Sequence, residues 1–388
     1  MRQHALSYDI VIAGMGCAGL SLAMRLIHAH FLSSFSILLI DVAPKQENDR
    51  TWCFWEDQPG WFEPIVYHRW TKAQLHTEQH ILHMQLQPFA YKMIRGIDFY
   101  RYAHEQLQQA RNNNPDRRID YLYEPVLQME REEQYAIVHT TQHRVQAKYV
   151  FYSLLSSIPP ASYRYFLWQH FRGWFVHMHA SVFDPECMVL MDFRVPQQEA
   201  TAFMYVLPFS DCDALIEYTV FSPHLLDAQV YDACIRNYLQ THYPGLTYDI
   251  TEIEKGAIPM TDYAFPTATG TLIPIGTAGG QTKASTGYTF SFIQRHSDAL
   301  IKAWEKTGKP LVKSTLHERA FRWYDQLLLH VLQHRLYPGD ALFLQLFQNN
   351  STPTVLRFLS NQSSWAEDIR IIASLPTKPF LKALLSIR

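Results

Sequence analysis

Residues 8–13, YDIVIA, run directly into Gly14-Met15-Gly16-Cys17-Ala18-Gly19 and then into LSLAMRLIHAHF, whose apolar residues recur at helical spacing. No other feature constrains the chain so tightly. The three glycines of this pattern serve different ends, since Gly14 permits the tight turn, Gly16 lets the backbone approach a pyrophosphate, and Gly19 lets the helix pack close to the strand. The free N–H groups at the helix start then face the phosphates. Residues 36–40, SILLI, read as a second strand ending at Asp41, the right distance away to accept the two hydroxyls of an adenosine ribose. Strand, glycines, helix, strand and terminal acid in this order predict a nucleotide-binding βαβ unit.

Which dinucleotide it holds depends on the rest of the chain. A plain NAD enzyme continues through alternating strands and helices to a six-stranded sheet. Here the helical pattern at 98–110 is followed by short strands at 119–129, 135–141 and 147–153, then by long strand-like segments at 174–195 and 202–221. A second glycine cluster comes only at 272–290, LIPIGTAGGQTKASTGYTF. A late return to the nucleotide suits a flavin, whose ring projects far from its ADP half. In this reading 272–275 form a strand delivering Gly276, Thr277, Gly279 and Gly280 to the ribityl and pyrophosphate part of FAD. The turn at Ser285-Thr286-Gly287 starts a helix whose N–H groups face the ring, where they would stabilise negative charge. A Gly/Ser/Thr surface loop is the alternative.

Composition narrows the partners. In 388 residues the net charge is −2, so nothing suggests a nucleic-acid groove, while 47% apolar and 14% aromatic residues against 18% charged hint at an apolar ligand. Five scattered cysteines without metal spacing suit a reducing compartment. The 19 histidines include His177 and His179 on one strand face but no third ligand or HExxH motif, so no metal is expected. No run reaches membrane-spanning length and nothing before Tyr8 reads as a signal peptide.

Longer motifs carry a resemblance. YDIVIAGMGCAGLSLA (8–23), NDRTWCFWE (48–56), FRGWFV (171–176), FDPECMVLMDFR (183–194), FMYVLPFSDCDALIEYTVFS (203–222), IPMTDY (258–263), IGTAGGQTKASTGYTF (275–290) and LFLQLFQNNSTPTVLRFL (342–359) closely resemble the bacterial lycopene cyclases, over nearly the whole chain. The resemblance implies an α/β architecture: an FAD-binding, Rossmann-like fold of the glutathione-reductase type, interleaved with an antiparallel β-sheet substrate domain, plus C-terminal helices. The FAD-binding part is expected in 1–60, 95–160 and 255–310, the substrate part in 61–94 and 161–254, and a helical cap in 311–388. In the wider group of FAD-dependent hydroxylases the late strand ends in Gly-Asp, whereas Thr277 stands at that Asp position here. Plant cyclases carry two adjacent glutamates in a Phe-Leu-Glu-Glu-Thr motif; this chain has Leu215-Ile216-Glu217-Tyr218-Thr219, with one acid.

The implied chemistry closes a ψ end of lycopene into a β-ionone ring, giving β-carotene by way of γ-carotene. C2 of the terminal alkene is protonated, the C5=C6 bond attacks the C1 cation, and C6 loses a proton. No electrons are gained or lost, so the protein must supply an acid in a dry pocket, something to stabilise the cation, and a base. Glu217, in the mostly apolar ALIEYTVF, is the candidate acid because desolvation would keep it protonated; an exposed glutamate on a half-buried strand is the alternative. Reduced FAD, with NADPH as its electron source, would stabilise the cation or exchange the proton. An FAD-dependent hydroxylase of an apolar substrate and a noncatalytic carotenoid-binding flavoprotein remain as other readings.

Supporting groups follow. Arg50 suits a pyrophosphate or is a surface arginine, with Asp49 and Trp52 shaping its loop. Asp192 and Arg194, on one face of a strand, read as a charge pair or outer clamp rather than the acid. Trp174, Phe175, Phe193, Tyr205, Phe209, Tyr218 and Phe221 either line a tunnel or form core. The helical patterns at 324–337, 340–350, 352–362 and 378–388 seal that tunnel, pack as a cap, or lie on the membrane that dissolves lycopene, with Lys378, Lys382 and Arg388 adding positive charge. A cytoplasmic protein held peripherally at the inner membrane is the expected setting.

Overall fold

A computed structural model describes residues 4–155, 157–197 and 200–386; Arg388 lies outside them. The described residues build two seven-stranded sheets and one of three strands. The first sheet runs in the order Ile119–Tyr123, Ile37–Asp41, His4–Ala13, His143–Tyr152, Ala136–Thr140, Val126–Arg131, with Leu272–Pro274 also paired to His143–Tyr152. Its centre is parallel, and both faces are apolar, as a covered parallel sheet requires. The helices Cys17–His28, Gly96–Asn113 and Phe290–Thr307 close over one face, burying Ile10, Ile12, Leu20, Phe99 and Ile293 in a single core.

The second sheet is mostly antiparallel: Tyr248–Thr261, Phe166–Met178, Asp213–Ser222, Thr201–Pro208, Cys187–Asp192, Lys72–His76, Ile81–Gln85. Alternation gives it two apolar faces. Trp174, Ile216, Tyr218 and Met204 pack under the helix Ala228–His242, whereas Leu215, Phe221, Phe203 and Leu190 pack toward the C-terminal helices Leu316–Gln333, Gly339–Gln348 and Thr352–Leu359. The three-stranded sheet of Thr51–Glu56, Ala90–Arg95 and His68–Trp70 stands between the two large ones.

Three expectations need correction. The segments 174–195 and 202–221 are not single strands: Asp184-Pro185 interrupts the first between Met178 and Cys187, and a turn closed by the Phe209 N–H on the Asp213 carbonyl splits the second into Thr201–Pro208 and Asp213–Ser222. The helix expected to start at 285–287 begins at Phe290; Thr286 and Gly287 form a turn on the Lys283 carbonyl instead. The helix Ala228–His242 was not anticipated within the substrate part, although its apolar residues Tyr231, Ile235, Tyr238 and Leu239 fall on one face.

Candidate active site

The first loop forms as expected and its geometry shows why glycine is required. Gly14 has φ +104°, and a Cβ on Gly19 would lie 1.9 Å from the Gly14 carbonyl oxygen, so the helix sits on the turn only without a side chain there. A Cβ on Gly16 would meet nothing within 4 Å, so the backbone there borders open space. Asp41 ends its strand with one carboxylate oxygen accepting from the Met15 N–H at 2.7 Å and the other from the Val42 N–H at 2.7 Å. This ties the acid to the glycine turn.

The second glycine cluster arrives beside the first. Gly276 has φ +62°, and its Cβ would lie 2.7 Å from that of Ala18. Gly287, at φ +72°, faces Gln169 of the second sheet. The segment between them is anchored from the C-terminal helices, where Asp325 accepts from Lys283 Nζ and Ser285 Oγ, both at 2.6 Å. Thr277 bonds Thr282 at 3.0 Å rather than a strand-end acid.

A cavity of about 550 Å³ joins these loops to the second sheet. Gly14, Gly16, Asp41, Arg50, Gly276 and Thr277 line it, together with Thr286 and Gly287, and so do Glu217, Tyr91, Tyr205, Phe221, Phe343, Phe347 and Leu359. The C-terminal helices therefore form part of its wall. Two polar atoms in its wall, Gln169 Oε1 and Thr286 Oγ1, are buried without a hydrogen-bond partner, a costly state that a bound polar group would relieve. These orphans, the two backbone turns that only glycine fits and the acid at the strand end suit an extended, phosphate-bearing group with a polar ring.

Glu217 projects from Asp213–Ser222 into this cavity and is half-buried, between buried Ile216 and Tyr218. It does not stand alone. Phe166–Met178 pairs on one side with Asp213–Ser222 and on the other with Tyr248–Thr261, and Gly173 is opposite both Glu217 and Glu254. Without a side chain at Gly173 the two glutamates lean over the gap and hydrogen-bond each other. Thr219 Oγ1 donates to Glu217 Oε1 at 2.7 Å, and Thr51 Oγ1 to Glu254 Oε2 at 2.5 Å. Burial and the neighbouring Glu254 hold Glu217 well above the usual carboxylate range. Burial lifts Glu254 too, to about 6, against the pull of hydrogen bonds donated by Thr51 and Glu217. Sequence reading counted one acid; Glu254 has no local cue, since it becomes a neighbour only through the intervening strand.

Three phenols gather beside the pair. The hydroxyls of Tyr91 and Tyr205 are hydrogen-bonded, Tyr288 joins them, and burial raises all three above the usual tyrosine range. Their rings, with Phe171, Phe203 and Phe221, give the cavity electron-rich faces suited to a cation.

Several candidate pocket residues lie elsewhere. Trp174 and Tyr218 face the helix Ala228–His242, because the alternation that turns Glu217 into the cavity turns its neighbours out of it. Asp192 and Arg194 are on that outer side as well. Arg194 donates to both oxygens of Asp192 at 2.9 and 2.6 Å, Tyr238 donates at 2.7 Å, and His76 completes the cluster. Burial would raise Asp192, but these partners outweigh it and hold the carboxyl below its usual range. Phe193 lies one layer behind the wall, stacked on Phe343 at 6.2 Å. Phe175 and Phe209 stack on each other in the core. Arg50 borders the cavity with an exposed side chain, 3.7 Å from Asp49.

Residues 9–385 match the family model described as lycopene cyclase protein. A lycopene beta-cyclase of Pantoea ananas is 26% identical over 419 residues, covering 100% of this chain and 99% of its own. Among solved structures, a geranylgeranyl bacteriochlorophyll reductase-like protein from Thermoplasma acidophilum superposes with a TM-score of 0.59 at 13% identity, over 99% of this chain and 100% of its own. A flavin-dependent brominase does so with a TM-score of 0.61 at 13% identity, over 95% and 98%. The fold is thus the Rossmann-type α/β fold of flavin-dependent reductases and oxygenases.

Proposed function

Because the chain belongs to the lycopene cyclase family, we propose that it is a lycopene β-cyclase, an isomerase that converts the ψ ends of lycopene and of monocyclic intermediates into β-ionone rings. The first sheet with its two glycine loops is read as the FAD-binding unit, the second sheet as the substrate unit, and the C-terminal helices as its cap. Gly14, Gly16, Gly19 and Asp41 would hold the ADP half of FAD, with Arg50 toward its pyrophosphate. Gly276, Thr277, Gly279 and Gly280 would hold the ribityl part, and Thr286 and Gly287 the ring. Bound and reduced, with NADPH as electron source, FAD would supply electron density that stabilises a carbocation.

The observation that carries this reading is Glu217, its carboxyl raised by burial and by the neighbouring Glu254, in an aromatic cavity that also opens onto both glycine loops. An alkene is a poor base, so its protonation needs an acid kept neutral and dry. Glu217, raised by burial, suits this role and would deliver its proton to C2. Thr219 fixes the other carboxyl oxygen, and Tyr91, Tyr205 and Tyr288 face the developing positive charge.

No helix among the described residues is long and apolar enough to cross a membrane. The helix Trp365–Ser374 nevertheless exposes Trp365, Ile369 and Ile372 at 50, 67 and 44%, and Thr377–Ser386 exposes Leu381, Leu384 and Leu385. We read this surface as a peripheral contact with the cytoplasmic side of the membrane that dissolves the substrate.

Anaerobic incubation with lycopene and chemically reduced FAD tests the function. β-Carotene of unchanged mass is the expected product. A requirement for oxygen with NADPH consumption would make the protein a hydroxylase, and unchanged bound pigment would make it a carrier.

A further inference from the structure

Glu254 has no role in the chemistry so far, yet its placement is as constrained as that of Glu217. Each carboxyl has one oxygen held by a threonine hydroxyl from a different element, Thr219 or Thr51, which leaves its other oxygen for the partner. The groups that face the pair are Glu252 on the same strand as Glu254, Cys53 and Tyr91. None of these is a cation, and among the described residues no Lys, Arg or His is hydrogen-bonded or ion-paired to either glutamate. Two carboxylates in contact without a cation cannot both ionise, so the pair keeps a proton.

Ring closure places a matching demand on the site. The carbon that gains a proton, C2, and the carbon that loses one, C6, are both bonded to C1 in the ring being formed. An acid and a base that stand side by side on one face of that ring can therefore serve both carbons. We propose that Glu217 and Glu254 are a one-proton acid–base pair, in which Glu217 protonates C2 and Glu254 removes the proton from C6. The inference rests on the cyclase reading of the chain. The Glu217 O–H bond breaks as the C2–H bond forms, and the C5=C6 electrons close the C1–C6 bond, leaving the charge on C5. The C6–H electrons then restore C5=C6 while the proton passes to Glu254, and it returns across the hydrogen bond to Glu217. Nothing is oxidised or reduced, and the pair ends as it began.

The division of labour follows from the environments. Glu217 is opposite Tyr205 in the neighbouring strand, beside the phenols suited to the cation, whereas Glu254 stands on the far side of Phe166–Met178 and is held by Thr51 of the small sheet, so the donated proton is assigned to Glu217 and its removal to Glu254.

The test is Glu254→Gln and Glu254→Asp in the holoenzyme with reduced FAD, with bound flavin and thermal unfolding followed to establish that each is folded. Glu254→Gln should retain FAD and bind lycopene while cyclisation falls on the order of a hundredfold, the scale of losing a positioned proton acceptor. Glu254→Asp, shorter but still a base, should recover at least roughly tenfold of that loss. β rings formed by Glu254→Gln at more than about a tenth of the native rate would overturn the proposal. So would equal inactivity of both folded variants, since that would assign Glu254 a structural part. Failure of the cyclase reading is seen separately, as native protein that leaves lycopene unchanged.

Discussion

Gly173 lies directly across from Glu217, and a methyl group added there would sit 3.2 Å from the Glu217 Cβ and 3.3 Å from the Glu254 Cγ. The absent side chain is what lets two glutamates from strands that do not pair meet. Gly173→Ala should therefore wedge them apart. Its Cβ would also fall 2.8 Å from the end of the Leu215 side chain, a contact that Leu215 can relieve by turning. The expected result is a loss of about 1–2 kcal/mol of stability from overpacking, with cyclisation reduced by more than that destabilisation explains. Rate measured at a temperature where the variant is fully folded separates the two effects.

Glu217→Gln keeps the shape and the hydrogen bond from Thr219 but has no carboxyl proton. Cyclisation should fall on the order of a hundredfold or more, with FAD retained. Stability should move the other way. Because the folded Glu217 is raised, its contribution to stability is present below the unfolded pKa and lost as pH rises through the folded one. The glutamine does not titrate. Its melting temperature relative to native should therefore climb as pH rises above the unfolded glutamate value of about 4.3. A difference that is flat with pH would show that Glu217 is not held protonated.

Asp192→Asn should behave in the opposite sense. It removes the charge facing Arg194 on the outer side of the sheet, away from the cavity, and should cost roughly 3 kcal/mol while the folded fraction cyclises normally. Native Asp192 is depressed, so its contribution is present above the unfolded pKa and lost as pH falls through the folded one. The stability gap between native and variant should accordingly shrink in acid, as chemical denaturation at stepped pH would read out.

The nucleotide loop was legible because its glycines answer to backbone geometry at short, fixed spacing: a turn at positive φ in Gly14 and a helix seated on that turn at Gly19. Glu217 was legible by type and setting. For Tyr218 and Trp174 the choice between tunnel and core stayed open because being aromatic says nothing about which face of a strand a residue occupies; with Glu217 turned inward, alternation sends Tyr218 to the core on the other face. Glu254 and Thr51 were invisible for a different reason. Glu254 meets Glu217 only through registers across three strands, and Thr51 reaches Glu254 from a separate small sheet across 203 residues of chain.

Gly276→Ala tests the second loop. The residue holds φ +62°, which L side chains adopt at a cost, and its Cβ would press on Ala18 of the first helix. Purified variant should carry less than about a tenth of the native flavin, and added FAD should raise its melting temperature little, whereas native protein gains by mass action. Native flavin content in the variant would remove this loop from the cofactor site.

The exposed side chains of the C-terminal helices make the last prediction. Trp365, Ile369 and Ile372 follow one another at helical spacing on Trp365–Ser374, and the Trp365 ring lies 4.4 Å from that of His317, so the starts of two cap helices meet there. Ile371, fully buried, lies away from these side chains, and Asp368, which accepts from Ser363 at 2.5 Å and pairs with His317, borders them beside Trp365. Ile369 and Ile372, both exposed, can thus be changed while Ile371 and the Asp368–His317 pair stay in place. Ile369→Glu with Ile372→Glu should leave the melting temperature and flavin content near native, while binding to anionic phospholipid vesicles falls at least roughly tenfold, as expected when buried apolar area is replaced by charge. Turnover of lycopene offered in vesicles should fall with it, and turnover in detergent micelles should not. Equal vesicle binding by native protein and variant would place the membrane contact, and with it the entry of substrate, on another face.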